Sequence, residues 1–380
     1  MKILQILPSL YMGGVERGTI EIARALHVAG IPNAVASQGG PLVEELNAIG
    51  VQHFELPLAS KNPFTMHANA ARLAEIAKNE GVTLMHVRSR APAWSTMWAS
   101  RQCGVPWIAT YHGVYGTSPA FLKIPYNRIM LKGLRTICVS DYVMRHVIET
   151  YHADPAKLVR IHRGADTSVF RPDAVTPEEA MEKKTLHYRL TADISVITLP
   201  GRLTRWKGQE VFLDALTRMR HKRLGIIFIG SDQGRTEYSD HLRALASRLP
   251  NETEVVFKDH TSEIQKVYAL SDIVVNASSD QPEAFGRTIP EAQAMGRLVV
   301  GTAHGGACET IDDGRTGWLV PPGDAAALAA KLDEILDLPE ERKAEVRAAA
   351  VMSVRDNFST AKMCAATIDL YKSLNQKTET

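Results

Sequence analysis

The strongest constraint on the fold is an alternation of short apolar runs with longer segments of helical period. In the first half of the chain the runs are "KILQIL", "NAVAS", "TLMHVRS" and "PWIATYH", and one of the intervening helical segments extends from about Val15 to Ala29. Continuous apolar runs between helices are typical of parallel strands in a sheet that helices cover on both faces. The pattern therefore predicts a βαβ fold for this half.

The alternation then starts again, which indicates a second domain. Six further runs are strand candidates: "DISVITLPGR", "LGIIFIGSD", "TEVVFKD", "DIVVNASS", "RLVVGT" and "GWLVPPGD". The segment between the two sets, "RGADTSVFRPDAVTPEEAMEKK", is rich in proline and charge and is predicted to be an interdomain linker. At 380 residues the chain is also longer than a sequence that usually folds around a single hydrophobic core. We predict an α/β protein with two Rossmann-like domains facing each other across a deep cleft that holds the ligand.

The opening "MKILQILPSLYMGG" is interpreted as the first buried strand and not as a secretory signal. It contains Gln5 and Pro8 and continues directly into Glu16 and Arg17. The four cysteines lie far apart without CxxC spacing, which argues against a zinc site or a disulfide framework and suits a reducing cytoplasm. No run approaches the roughly 18 apolar residues that span a bilayer. The sequence predicts a cytoplasmic protein whose membrane contact, if present, is peripheral at the inner face of the cytoplasmic membrane.

Charge is distributed unevenly along the chain. The formal net charge of +2 gives no general argument for nucleic acid, but residues 1–170 hold 17 Lys+Arg against 11 Asp+Glu. This surplus suits an anionic lipid surface or a phosphorylated substrate, and a solvated basic face is the alternative. Within it, "SPAFLKIPYNRIMLKGLRT" predicts a helix with Arg128, Lys132 and Arg135 on one face, able to rest on anionic headgroups. An ordinary helix that packs against the core and exposes its basic side to solvent is the alternative.

Two loops that follow predicted strands are suited to phosphate. Gly13 and Gly14 precede a helix, so a bulky anion can approach backbone N–H groups at its N-terminus. The full GxGxxG arrangement is absent, and a simple tight turn is the alternative. In "PGRLTRWKGQE", Arg202 and Lys207 follow the first strand of the second half. Two fixed cations there can offset the charge of a departing diphosphate, and a solvated pair is the alternative.

The segment "EAFGRTIPE" places two carboxylates at either end of a short apolar stretch. Pro290 suits the first turn of a helix, so Glu291 beside it would lie near the positive helix end and stay ionised. An ionised carboxylate accepts hydrogen bonds from both vicinal hydroxyls of a ribose. Glu283 can reach another part of the same ligand, and Gly286 lets the backbone approach sugar hydroxyls. Helix capping for Glu291 and a surface loop for Glu283 are the alternatives.

Together these motifs resemble one family. "PEAFGRTIPEAQAMGRLVVGTAHGGACETIDDGRTGWLVPPGD" is similar to the donor-binding signature of the GT-B retaining glycosyltransferases of family 4, including its E-x7-E pair. The resemblance extends over nearly the whole chain through "GGVER", "TYHG", "ICVSDYV", "PGRLTRWKG", "SDIVVNAS" and "FSTAKMCAATIDLYKSL". Motifs of this number and order are specific for the family and not for the substrate.

The resemblance implies site residues from both domains. In the family the second Glu, here Glu291, holds the donor ribose, and the first, Glu283, lies against the reacting face of the transferred sugar. His112 in "TYHG" matches a histidine near that sugar, so His112 and Glu283 are the expected catalytic residues. The expected donor-binding residues are Gly13, Gly14, Arg202, Lys207, Glu283, Phe285, Gly286, Thr288 and Glu291.

The implied activity is retaining transfer of a sugar from a nucleotide diphosphate sugar to a glycan or lipid-linked acceptor, in cell-envelope polysaccharide or lipopolysaccharide biosynthesis. No metal and no cofactor beyond the nucleotide-sugar co-substrate is expected, and the sequence has no DxD-like cluster at a strand end. Expected domains are an acceptor-binding one at 1–168, completed by a helix at about 358–380, and a donor-binding one at 169–357. A non-catalytic binding module, a sugar-nucleotide epimerase and a phosphorylase on the same fold are alternatives.

Three positions depart from the family pattern. Arg163 stands where the family commonly has Asn, Ala284 where Gly is frequent, and Pro290 where an aliphatic residue is usual. Because Arg163 replaces Asn, the family pattern does not predict which contacts form near the strand that enters the hinge. Ala284 in place of Gly can restrict which donor sugars are accepted. None of the three touches a charged donor ligand.

Overall fold

The computed structural model describes residues 1–11 and 13–376, which form two compact units. The first consists of Met1–Arg163 together with the described residues from Thr360 onward, and the second of Gly164–Ser359. The sequence predicted boundaries at residues 168 and 357. The assignment of acceptor binding to one unit and donor binding to the other stays a prediction.

The first unit is built on a seven-stranded parallel sheet in the order β3-β2-β1-β4-β5-β6-β7. Its strands are β1 (Ile3–Ile6), β2 (Asn33–Ser37), β3 (Gln52–Glu55), β4 (Leu84–Val87), β5 (Trp107–Tyr111), β6 (Thr136–Cys138) and β7 (Leu158–Arg160). Its helices are α1 (Gly14–Val28), α2 (Val43–Ala48), α3 (Pro63–Asn79), α4 (Arg90–Cys103), α5 (Ala120–Arg128) and α6 (Asp141–Tyr151). The chain reverses its direction of winding between β1 and β4, the point where doubly wound folds bind ligands.

The second unit contains a six-stranded parallel sheet in the order β10-β9-β8-β11-β12-β13. The strands are β8 (Ser195–Pro200), β9 (Leu224–Ile229), β10 (Thr253–Lys258), β11 (Ile273–Asn276), β12 (Leu298–Thr302) and β13 (Trp318–Val320). The helices are α7 (Pro177–Glu182), α8 (Gln209–Arg218), α9 (Thr236–Ala246), α10 (Ile264–Leu270), α11 (Thr288–Ala294), α12 (Ala307–Thr310), α13 (Ala325–Asp337) and α14 (Glu340–Asn357). The six strands predicted for this half are all present, and the switch point lies between β8 and β11.

The final helix, α15 (Thr360–Gln376), belongs to the first unit. The sequence predicted a helix at about 358–380, and the buried side chains of α15 include Met363, Ile368 and Tyr371. They pack with Ile22 and Leu26 of α1 in one apolar cluster. Residues 377–380 of the predicted segment lie outside the described residues.

The predicted linker, residues 163–184, is not a free connection. Phe170 is 7% exposed, and its ring centroid lies 6.1 Å from that of Tyr268. The Lys184 ammonium donates to the carbonyls of Ala192 and Ile194 at 2.7 and 2.6 Å. The boundary between the two units falls at the start of this segment, but proline and charge did not show that Phe170 and Lys184 anchor the rest of it to the second unit.

The predicted basic helix also differs from the structure. α5 ends at Arg128, a 3₁₀ turn follows at Ile129–Leu131, and Arg135 directly precedes β6, so the three basic residues do not share one helical face. Ile129 is buried in the core. None of the helices among residues 1–11 and 13–376 combines the length and the apolar character that crossing a bilayer requires.

Candidate active site

Two loops meet at the switch point of the second sheet, one after β8 and one after β11. The first contains a 3₁₀ turn, Arg205–Lys207, which Gly208 connects to α8. Gly208 has φ 73°, and a methyl group there would collide with the Ala277 carbonyl. Because only glycine fits this conformation and this contact, the sequence fixes Lys207 beside the end of β11.

Lys207 forms an ion pair with Glu283 at the centre of the site. Its Nζ lies 2.6 Å from Glu283 Oε1, and the two side chains are 12% and 14% exposed. The Asn276 amide, at the end of β11, donates to the same oxygen at 2.7 Å. Burial alone would raise the pKa of Glu283, but Lys207, Asn276 and Arg202 outweigh it and hold that pKa below its ordinary value. Glu283 is therefore an ionised, largely buried carboxylate.

Close glycine contacts position the loop that carries Glu283. Gly305 has φ 60°, and a methyl group on it would collide with the Glu283 carbonyl, which accepts a hydrogen bond from the Gly306 N–H at 2.9 Å. Phe285 is 3% exposed, and its ring centroid lies 6.0 Å from that of Phe358, so its side chain anchors the loop in the second unit. Gly286 follows with φ 77°, where a Cβ atom would touch Glu283 Oε2 at 3.5 Å.

Glu291 lies in the first turn of α11, where the positive end of the helix favours an ionised carboxylate. Its Oε2 accepts a hydrogen bond from the Tyr268 hydroxyl at 3.2 Å, and Arg287 Nε lies 3.3 Å from its Oε1. Burial, and then Glu291, raise the pKa of Tyr268 well above its usual value, so this hydroxyl stays a donor. The buried Thr288 hydroxyl has no hydrogen-bond partner among the described residues.

The structure thus brings together Lys207, Glu283, Gly286 and the Phe285 backbone in one cluster, and Arg202 contributes to its electrostatics. Arg202 is exposed on the loop after β8. Sequence reasoning missed Asn276, whose signal is its place at the end of the strand "IVVN" next to the switch point. It also missed His304, whose Nε2–H donates to the Ser278 carbonyl at 2.9 Å.

In the first unit, the predicted residues lie where strands of the sheet end. Gly13, with extended backbone, precedes α1, which starts at Gly14 and has no side-chain cap. Because glycine has no side chain, Gly13 itself supplies no cap, and the Glu16 carboxylate lies against Gly13. His112 follows β5, and its Nε2 is buried without a hydrogen-bond partner among the described residues. Burial, and then Arg163 and Arg88, hold the pKa of His112 well below its usual value, so its ring is neutral at pH 7.

Comparisons with known proteins agree with this architecture. The model of "Glycosyltransferase Family 4" matches residues 12–169, and that of "Glycosyl transferases group 1" matches residues 189–351. The crystal structure of a glycosyltransferase from Rickettsia africae ESF-5 is 39% identical, with 98% of each chain covered and a TM-score of 0.88. The chain belongs to the GT-B glycosyltransferases of family 4. The predicted family and fold class are therefore confirmed.

Other proteins similar to this chain carry more specific names or were crystallised with a ligand. The Anabaena protein HepE, in complex with UDP-glucose, is 22% identical over 98% of this family-4 chain and all of its own, with a TM-score of 0.83, which shows the fold alone. A D-inositol 3-phosphate glycosyltransferase from Kineococcus radiotolerans is 27% identical over 95% of this chain and 90% of its own. The chain spans about half (49%) of the length of the Corynebacterium aurimucosum protein of the same name, at 31% identity.

Proposed function

We propose that this protein transfers a sugar from a nucleotide diphosphate sugar to an acceptor hydroxyl. The observation that carries the proposal is the Lys207–Glu283 pair with Asn276 at the switch point, followed by Glu291 in the first turn of α11. This arrangement offers a cation for a diphosphate, one carboxylate, Glu291, for a ribose diol and a second, Glu283, for the sugar. The complex of HepE with UDP-glucose supports the same donor class.

We propose retention at the anomeric carbon, without a metal. The family resemblance supports a mechanism in which the departing phosphate takes the acceptor proton on the same face of the sugar. Lys207, Arg202 and the N–H groups at the start of α1 would then stabilise the diphosphate, and neutral His112 and ionised Glu283 would lie against the sugar. NMR of the product tests retention through its anomeric configuration. Turnover that survives exhaustive EDTA treatment would support metal independence, whereas rescue by Mn²⁺ alone would contradict it.

The donor assignment is testable by binding. A ligand at 100 times its dissociation constant stabilises the folded state by about 2.7 kcal/mol, so UDP-, GDP- and ADP-sugars can be screened by thermal shift. Lys207→Met should abolish the shift. Arg205→Met is the matched control, because Arg205 lies two residues away in the same turn but pairs with Glu210 at 3.2 Å. Equal loss in both variants would contradict the assignment.

Turnover separates the candidate activities. A glycosyltransferase consumes the donor rapidly only when acceptor is present, a non-catalytic module never does, and an epimerase converts the donor alone. The name of the Kineococcus relative makes inositol phosphate one acceptor to test. Lipid-linked glycans and lipopolysaccharide-core saccharides are the others we propose, and these would place the protein in the cytoplasm in cell-envelope synthesis.

We also propose that α5 contacts anionic membranes where such acceptors reside. Phe121 and Leu122 are 76% and 58% exposed at its start, and exposed Lys123 follows. Apolar side chains beside a cation suit an anionic interface. The fraction of protein that sediments with phosphatidylglycerol vesicles at low salt should be lower for Phe121→Ser/Leu122→Ser than for wild type. It should be unchanged for Val28→Ser, which alters an equally exposed residue on α1. Wild-type protein that stays in the supernatant would contradict membrane contact.

A further inference from the structure

We infer that Arg163 is a positioning residue that fixes the Gly13–Gly14 turn for the donor phosphate, an inference that rests on the proposed function. The Arg163 guanidinium donates from Nη2 to the Gly14 carbonyl, across 149 positions of sequence. Arg163 is 7% exposed and is the last residue of the first unit. It thus connects the place where the chain leaves this unit with the first turn of α1.

Gly18 makes this contact possible. It lies inside α1, where glycine is less favourable than alanine. A methyl group at Gly18 would collide with the Arg163 guanidinium. An unfavourable residue in the helix interior is therefore accounted for by the space that the arginine needs.

A second buried arginine, Arg88, lines the same cavity as Arg163. Arg88 follows β4, is 3% exposed and donates from Nη2 to Gln5 Oε1 at 2.5 Å, while Gln5 donates to the Thr19 carbonyl of α1 at 3.2 Å. Arg88, Arg163 and His86 line one cavity of about 10 Å³, which has room for about one water. The cavity leaves little free space beside the Arg163 side chain.

The positive charge of Arg163 favours a role in ligand binding over a role in stabilising α1. A cation at the N-terminal end of a helix opposes the helix dipole and destabilises the helix. Glu21 on α1 offsets part of the charge of the second arginine, Arg88. An anion at this turn would gain from both the first backbone N–H groups and the charge of Arg163. We therefore expect the benefit of Arg163 to appear when phosphate is bound.

Arg163→Asn, which restores the residue common in the family, tests the inference. We expect the donor KM and the dissociation constant of the matching nucleotide (UDP, GDP or ADP) to rise about tenfold, equivalent to about 1.4 kcal/mol. We expect kcat and acceptor KM to change less than twofold. Arg163→Lys should recover part of the loss. Arg160→Asn is the control, because Arg160 pairs on the surface with Asp141 at 2.6 Å. Unchanged donor KM in folded Arg163→Asn would overturn the inference.

Hydrogen exchange provides a readout that does not depend on donor binding. Arg163 opposes the dipole of α1, but its hydrogen bond to Gly14 holds the first turn, so the helix-bonded amides of residues 17–19 should exchange faster in Arg163→Asn than in Arg160→Asn or wild type. Gly18→Ala should have the same effect by displacing the guanidinium, and adding Gly18→Ala to Arg163→Asn should change little further. If wild-type protein binds no nucleotide sugar, the proposed function fails. Unaltered exchange in Arg163→Asn and in Gly18→Ala would overturn the positioning contact itself.

Discussion

Lys207 Nζ lies 2.6 Å from Glu283 Oε1 across two neighbouring strand ends, and both side chains are largely buried. Each residue neutralises the other before any ligand is bound. In the proposed donor site a diphosphate would share Lys207 with this carboxylate, and exposed Arg202 lies on the same loop. The pair is at once a structural element of the second unit and the centre of the proposed donor site.

Removing one partner of this pair should destabilise the protein more than removing both charges. Lys207→Met leaves the Glu283 carboxylate buried with Asn276 as its remaining side-chain donor, and we expect a loss of about 3 kcal/mol in the free energy of unfolding. Lys207→Met/Glu283→Gln should lose less than Lys207→Met alone, because no uncompensated charge remains. Urea unfolding followed by circular dichroism measures both. A double variant that loses the sum of the single losses would show that the two residues do not interact energetically.

The same carboxylate should contribute to acid sensitivity. Although burial raises it, the pKa of folded Glu283 lies below the ordinary value of 4.5 because Lys207 and Asn276 stabilise the ionised form. The stabilisation is therefore complete above that ordinary value and is lost as the pH falls below it.

Glu283→Gln tests whether this stabilisation is lost as the pH falls. We expect the difference in unfolding free energy between wild type and variant to be constant from about pH 5 to 7 and to shrink below about pH 4.5. Glu341→Gln, on the exposed face of α14, is the control for changes elsewhere on the surface. A wild-type-to-variant difference that does not vary with pH would contradict the assigned ionisation.

The apolar runs were sufficient to predict the second sheet, because β9 and β12 are fully buried, β8 is buried except at Ser195, and their sequences are mostly apolar. The strands missed in the first sheet are β3, β6 and β7. β3 is partly exposed at the sheet edge, and β6 and β7 have only three residues each, too few to show a period.

The site was predictable in its residue types but not in its pairings. Position after a strand identified Lys207 and the paired carboxylates of "EAFGRTIPE" identified Glu283, but no sequence pattern shows that the two bind each other. The contact between Arg163 and Gly14 joins residues 149 positions apart and depends on the register of β7 beside β6, which short strands do not reveal. Pairings of this kind are set by tertiary packing and are visible only in the structure.

Glu291 should determine recognition of the ribose. Glu291→Ala should weaken donor binding by about 1.5–3 kcal/mol, the contribution of hydrogen bonds to a charged group. Wild type should also bind 2′-deoxy-UDP, or the deoxy form of whichever nucleotide binds, less tightly than the ribonucleotide. In Glu291→Ala that discrimination should disappear, as calorimetry would measure.

Tyr268→Phe is the matched control for Glu291. It removes a hydroxyl that lies 3.2 Å from the carboxylate and leaves the carboxylate in place. We expect it to retain the preference for ribose. Glu291→Ala protein that still prefers the ribonucleotide would rule out the ribose assignment and leave Glu291 with a helix-end role.

The turn that carries Lys207 should tolerate no side chain at Gly208. Gly208 and Gly314 have φ values of 73° and 74°, but a methyl group on Gly208 would collide with the Ala277 carbonyl, whereas nothing lies within 4 Å of one on Gly314. Gly314→Ala should therefore lose only the roughly 1–2 kcal/mol of left-handed backbone strain. Gly208→Ala should lose about 1–3 kcal/mol more and should weaken donor binding, because the collision displaces Lys207. Equal losses in urea unfolding would show that the loop after β8 can move away from β11.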